Sequence, residues 1–459
     1  MAVSVTAAVD GAPFRPLHLW LFLSAVGGTL LDGVSVFMTG LAVPLLRAQF
    51  AIGPLEVGLL GSALVLGAVA GAVLGGHLSD RLGRRDVLLA DMALLAVAAL
   101  VLTLADSIVW VLAGQLLVGV AIGMDFPAAS AYVAEIMPAA ERQKMVVGTI
   151  TFQAVGMVLA ASLGVWLLEQ SGQGEAWRLL FAAIAVLAVL FFVLRLTVPE
   201  SPHWLAEHGH LDAAARVARR LNPQQSVTAE SAAAATGGQG PAGFGALFGP
   251  AFLRLTVLTA GAWFLMDIAT YGVGIFTPVI LQSLDPAAGV DSTLVYREIH
   301  VGRASGLVDL FLLLGFLMGI WLVPRVGAIR MQAIGFAGMV LGMLVLAWVS
   351  GLPDQPGARG HMVILGFVLF NLAMNMGPNS TTFVLPAILF PTRLRATAAG
   401  FAAACAKAGA TLGTFLLPNL RADYGTTVML LLLAVVAGFG MLVTLVFRPD
   451  AKRAPPAMA

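Results

Sequence analysis

The amino-acid sequence predicts an all-α membrane protein with twelve transmembrane helices in two six-helix halves, and three observations carry that expectation. Of 459 residues, 59% are hydrophobic and 11% are charged, with a mean hydropathy of +0.94, far below the about 25% charged residues of soluble globular domains. Apolar runs of about 20 residues, the length a bilayer demands, recur at 18–46, 55–78, 87–105, 108–132, 144–168, 177–197, 253–282, 304–324, 329–350, 362–388, 396–417 and 426–447. With both termini placed in the cytoplasm, 18 of the 25 Lys and Arg residues fall on that side, six on the other, and Lys407 within a span. That asymmetry is the positive-inside pattern, and it calls for an even number of spans.

Span one starts too far in, and is too long and Gly-rich, for a cleaved signal peptide, so it is expected to stay in the mature protein. After span six the composition changes abruptly. A short amphipathic helix is expected at about 211–221, with Arg216, Arg219 and Arg220, before the Ala/Ser/Gly-rich stretch from Thr228 to Gly243, which has flexible-linker composition. The chain therefore divides into an N-terminal six-helix bundle (1–197), a cytoplasmic linker (198–249), and a C-terminal six-helix bundle with a cytoplasmic tail (250–459). An internal echo points to duplication: Pro138 and Arg142 after span four recur 253 residues later as Pro391 and Arg395 after span ten. Parallel halves with a substrate site between them at mid-membrane form a transporter architecture.

The loop after span two reads Gly75-Gly-His-Leu-Ser-Asp80-Arg-Leu-Gly83-Arg84-Arg85 and resembles the signature loop of the major facilitator superfamily. An acid at a helix end beside an arginine cluster can close a charge relay in one state and break it in another. The expected gating set is Asp80, Arg84, Arg85, Glu135, Arg142, Glu200 and Arg395. The second-half copy, Pro324 to Arg330, has no acid. Pro199-Glu-Ser-Pro-His-Trp-Leu205 resembles the sugar-porter-like branch, its prolines ending span six and starting the amphipathic segment.

Polar residues inside spans are few. They are Asp32, Asp125, Gln153, Asp267, Asp309, Asn371, Asn375, Asn379 and Lys407. An ionised Asp at mid-span costs about 2.5–3.5 kcal/mol on insertion scales, and four such acids cannot all pair with one lysine. Carboxylates that are neutral facing one side and ionised facing the other tie proton binding to the conformational cycle. Trp263, Asp267 and Tyr271 stand at four-residue steps, which puts an indole, a carboxylate and a phenol on one helical face.

Within the superfamily, the stretch Trp263-Phe-Leu-Met-Asp267-Ile-Ala-Thr-Tyr271 is similar to span seven of the phosphate:proton symporters of fungi and plants. So are Asn375 to Phe383, Phe390 to Gly400 and Ala406 to Ala410 to its spans ten and eleven, and Gly123 to Pro127 and Phe152 to Gly156 to its spans four and five. The resemblance implies phosphate contacts from Gln153, Trp263, Asp267, Tyr271 and Asn379, proton-linked roles for Asp32 and Asp125, and a basic role for Lys407. This chain departs from the family's pattern at Phe126, where the family has a tyrosine, at Ser35, where a second span-one acid is expected, and at the extra acid Asp309.

Phosphate that keeps a proton can donate to an ionised Asp267, whereas sulfate at neutral pH has none to give; the indole, phenol and amides donate to acceptor oxygens. Phe126, Trp263 and Tyr271 could also stack on an organic ring, so a proton-coupled symporter of an aromatic-type organic acid, a sugar or another metabolite stands beside phosphate. The partners expected are a small-molecule substrate, phosphate or an organic anion, with protons and the lipid bilayer. A net charge of +1 gives no basic surface for nucleic acid. No cofactor or metal is expected, and the working unit is expected to be a monomer in the plasma membrane, the inner membrane of a bacterium. The loop histidines His203, His208 and His210 read as solvated surface, and no His-Glu-x-x-His, Gly-x-Ser-x-Gly or Walker pattern points to an enzyme.

Overall fold

The computed structural model describes residues 3–171, 175–229, 231, 243–273, 294–351 and 358–449; within its helices a few side chains, that of Tyr271 among them, lie outside the described set. All regular structure among the described residues is helical. Eleven stretches are long and apolar enough to cross a membrane; they coincide with spans one to ten and span twelve. Span eleven lies on the first arm of the helix Thr392–Val446, which Gly425 breaks with φ 82° and ψ 167°. Large apolar side chains face outward along the spans: Leu66 is 58% exposed, Val186 69%, Leu341 56% and Val435 54%. Water would not tolerate so continuous an apolar surface, and lipid does.

Several spans are interrupted. Span one consists of helices Pro16–Ala25 and Gly27–Phe50, which meet at Val26. Span seven passes from Leu253–Thr256 through a π turn at Val257–Gly261 into Ala262–Val273. Its expected continuation to residue 282 lies outside the described residues. Span ten runs Ala358–Met374, then a π turn at Asn375–Asn379, then Ser380–Leu389. Pro378 brings no N–H to that turn, and π turns of this kind are frequent at functional sites.

Span two packs closely on span four, where glycine lets backbones meet: a Cβ on Gly71 would lie 2.1 Å from the Val120 carbonyl oxygen. Spans three and six pack on each other, as do spans one and five; in the second half, span nine packs on span ten and span seven on the broken helix of spans eleven and twelve. The two sets of six meet along span two with span eleven and along span five with span eight.

At one end of the bundle, helices Pro202–Glu207 and Leu211–Leu221 follow span six, the second at the expected amphipathic position. The short helix Val5–Asp10 docks on them, with Val5, Ala8 and Val9 buried and Asn222 Nδ2 donating to the Ala8 carbonyl at 2.9 Å. Most of the expected flexible stretch from Thr228 to Gly243, and the tail from residue 450, lie outside the described residues.

Candidate functional site: an ion-pair cluster between the halves and a central wall

Span two ends at Gly83, whose φ of 112° only glycine adopts without strain. Just before that turn, Asp80 forms an ion pair with Arg84 at 3.0 Å and reaches across to span eleven. It accepts from the backbone N–H groups of Ala396 (3.3 Å) and Thr397 (2.7 Å) and from the Thr397 hydroxyl (2.7 Å). Arg84 pairs with Glu135 at 2.9 Å and donates to the Thr392 carbonyl at 2.8 Å. Arg395 closes the set by pairing with Glu135 at 3.0 Å. Close approach of spans two and eleven needs small residues: a Cβ on Gly76 would lie 2.4 Å from the Ala396 carbonyl oxygen.

Five of the seven expected gating residues therefore converge. Glu200 joins the set through backbone: it accepts the N–H groups of Arg84 (2.9 Å) and Arg85 (3.1 Å), satisfying free donors at the start of span three. Desolvation by burial raises the pKa of Glu200, opposed by these bonds and by Arg84. The other two residues stand apart. The Arg85 side chain turns to the Leu196 carbonyl at 3.4 Å and to Asp86 at 3.8 Å, and Arg142 pairs with Asp10 of the N-terminal helix. In the second half, Arg325 lies over Trp321 at 4.2 Å and bonds that residue's carbonyl, and the copy without an acid makes no corresponding bridge among the described residues.

Between the halves, Trp263 and Asp267 of span seven are buried at 7% and 6% exposure. Trp263 packs on Phe383 of span ten at 5.3 Å, and Phe383 meets Phe126 of span four edge to face at 5.5 Å. Lys407 Nζ of span eleven lies 5.6 Å from the centre of the Phe126 ring, a cation–π contact, and its charge acts on both Asp267 and Asp32. Gln153 donates to Asp32. Asn379, on the π turn, donates to Asn375 at 2.8 Å, and Asn375 in turn to the Asn371 carbonyl. Asp309 is buried on span eight, and its Oδ2 has no hydrogen-bond partner among the described residues.

Asp125 differs from the expectation of a mid-span acid without a cation. It pairs with Arg195 at 2.6 Å and accepts from the Thr29 hydroxyl at 3.0 Å, and Arg195 pairs also with Asp91 at 2.7 Å. Charge counting places Arg195, the last residue of the span-six helix, among the cytoplasmic cations, and Asp91 is not among the polar residues read inside the spans. The signal for Arg195 was its apolar neighbours Leu194 and Leu196; for Asp91 it was its position inside span three.

The loop histidines are not simply solvated. His208 stacks on Trp204 at 4.1 Å, and His203 Nδ1 lies 2.9 Å from the Glu135 carbonyl oxygen. Desolvation lowers the His203 pKa to about 4, although Glu135 opposes it. Among the described residues, no group of three or more His, Cys, Asp and Glu could hold a metal ion.

Two parallel sets of spans, closed by ion pairs on one side around a buried polar wall, define a secondary transporter of the major facilitator fold. The family described as Sugar (and other) transporter matches residues 52–455, and the chain belongs to it. It is a multi-pass membrane transporter of sugars or other small metabolites, not an enzyme. The inner membrane metabolite transport protein YgcS of Escherichia coli is 27% identical over 447 residues, covering 97% of this chain and 95% of its own. Inorganic phosphate transporter 1-1 of Oryza sativa subsp. japonica is 28% identical over 463 residues, covering 90% and 86%. Among solved structures, the proton:xylose symporter XylE bound to 6-bromo-6-deoxy-D-glucose aligns with a TM-score of 0.76 and 21% identity, over 96% of this chain and 98% of that one. The inward-open form of XylE from E. coli aligns with a TM-score of 0.68 and 20% identity over 95% of this chain and 97% of that one.

Proposed function

We propose that the chain is a proton-coupled symporter that takes up inorganic phosphate by alternating access across the plasma membrane, as a monomer with both termini cytoplasmic. The observation that carries this reading is one wall combining the buried carboxylate Asp267, the indole of Trp263, the amide of Asn379 and the field of Lys407. A phosphate that retains a proton donates to Asp267 and accepts from the indole, the amides and Lys407, a selection that sulfate fails. A single nearby cation cannot balance both the anion and the acids, so protons accompany the substrate. The 28% identity to a rice phosphate transporter supports the same reading.

One observation favours a second reading. Trp263, Phe383 and Phe126 form a continuous aromatic surface across the two halves, which suits a planar organic acid whose carboxylate meets Lys407. Uptake of labelled phosphate into proteoliposomes under an inward proton gradient decides. Accumulation competed by unlabelled phosphate, and not by benzoate or sulfate, is expected; competition by benzoate alone would replace phosphate by the organic acid.

A further inference from the structure

Arg195 is 1% exposed and holds five acceptors at once. Two are carboxylates, Asp91 of span three at 2.7 Å and Asp125 of span four at 2.6 Å. Three are carbonyls, of Leu88 (2.6 Å), Ser24 (3.1 Å) and Ala25 (2.6 Å). Ser24 and Ala25 end the first helix of span one, just before its break at Val26. Carbonyls at a helix C-terminus lack intrahelical donors and favour a cation, and Arg195 supplies both needs. Asp125 holds the other side of the break through Thr29, and a Cβ on Gly28 would lie 2.0 Å from Asp125 Oδ1. One charged cluster thus grips both edges of the span-one break.

Two carboxylates and one guanidinium leave one negative charge over, in a site where all three side chains are at most 2% exposed. Asp91 Oδ2 has no hydrogen-bond partner among the described residues, and both carboxylates sit on the same guanidinium, Asp91 Oδ1 on Nη1 and Asp125 Oδ1 on Nη2. Two buried carboxylates that share one cation cannot both ionise cheaply. One proton on the pair neutralises the cluster.

We propose that Asp91 and Asp125 form a shared proton site whose occupancy Arg195 transmits to the break in span one. The proton enters from water on the outer side and leaves to the cytoplasm, taking the cluster from neutral to a charge of minus one with no other covalent bond changed. With the proton bound, the guanidinium balances one net carboxylate and keeps its hold on Ser24 and Ala25. Once it leaves, the second carboxylate competes for the same donors and that hold loosens. The strongest charges acting on Asp91 and Arg195 are those of the cluster; Asp32 is a further acid acting on Asp125. The inference rests on the symport reading and names a site for its proton.

Asp91→Asn in proteoliposomes loaded with inorganic phosphate tests it. Proton-driven accumulation is expected to fall at least about tenfold while counterflow at equal pH stays within about threefold of wild type. Accumulation equal to wild type overturns the proposal, and so does equal loss of counterflow in folded, monodisperse protein, which makes Asp91 structural. Should Asp91→Asn fail to fold, Asp91→Glu is expected to shift the pH midpoint of accumulation, and an unchanged midpoint overturns the proposal. Infrared difference spectra of purified wild type against Asp91→Asn at neutral pH read the site whatever the substrate. A protonated-carboxyl band present only in wild type supports the shared proton, and its absence overturns it. Wild-type protein that moves no phosphate sinks the phosphate reading alone.

Discussion

The Asp80 carboxylate of span two receives two 2.7 Å hydrogen bonds from Thr397 of span eleven, one from its backbone N–H and one from its hydroxyl. Hydrogen bonds to charged groups contribute about 1.5–3 kcal/mol each, so removing the carboxylate weakens the closure of span two on span eleven. Spin labels placed at the exposed positions Arg81 and Arg330 report this by pulsed electron resonance. Asp80→Ala is expected to lengthen the mean distance and Thr397→Val to do so less. An unchanged distribution in Asp80→Ala would show that the other bridges hold the gate without it.

Glu200 is expected to act through backbone rather than through an arginine side chain. Its two oxygens serve the first N–H groups of span three, a capping role whose loss costs about 0.5–2 kcal/mol. Glu200→Ala should lower the thermal midpoint of detergent-solubilised protein by a few degrees, and Glu200→Gln, whose amide oxygen still accepts, should lower it less. Equal losses in the two variants would mean that the charge, not the acceptor geometry, matters.

The difference between Glu200 and Arg395 marks what a sequence can disclose. Periodicity and charge bias located the spans because lipid imposes length and apolarity on each one separately. The ion-pair cluster was readable at Asp80, Arg84, Glu135 and Arg395 because acids and arginines at helix ends have few other uses. Glu200 revealed an acid but not that its partner would be backbone. Asp91 and Arg195 were missed for a different reason: they lie 104 positions apart, and only packing of spans three and six brings them together. Phe383, quoted only as part of a motif, joins Trp263 to Phe126 through a contact between halves that no local pattern encodes.

Two groups beside the gate should impose opposing pH dependences. His203 titrates at about 4 where it is packed and near 6.5 when released, so it disfavours the packed state progressively as pH falls from 6.5 towards 4. Glu207 is raised to about 7 from 4.5, chiefly by desolvation, so its packed form gains protons first and is favoured as pH falls from 7 to 4.5. Between pH 4.5 and 6.5 the two largely offset. Thermal midpoints should therefore rise on acidification over that window in His203→Gln and fall in Glu207→Gln. Parallel pH profiles for the two variants would remove the argument.

Phe126 is the residue whose replacement separates the two substrate readings. Its ring lies between Phe383 and Lys407, so Phe126→Tyr keeps the edge-to-face and cation–π contacts while adding one hydroxyl donor beside the wall that carries Asp267. A neutral hydrogen bond contributes about 0.5–1.5 kcal/mol net, which corresponds to an affinity gain of roughly 2- to 10-fold. The apparent KM for phosphate in proteoliposomes is expected to fall by that factor, with competition by benzoate unchanged. If the tyrosine instead leaves phosphate untouched and weakens competition by benzoate, the aromatic surface is a platform for a planar acid, because the added hydroxyl then serves no acceptor and costs desolvation when a ring is stacked against it.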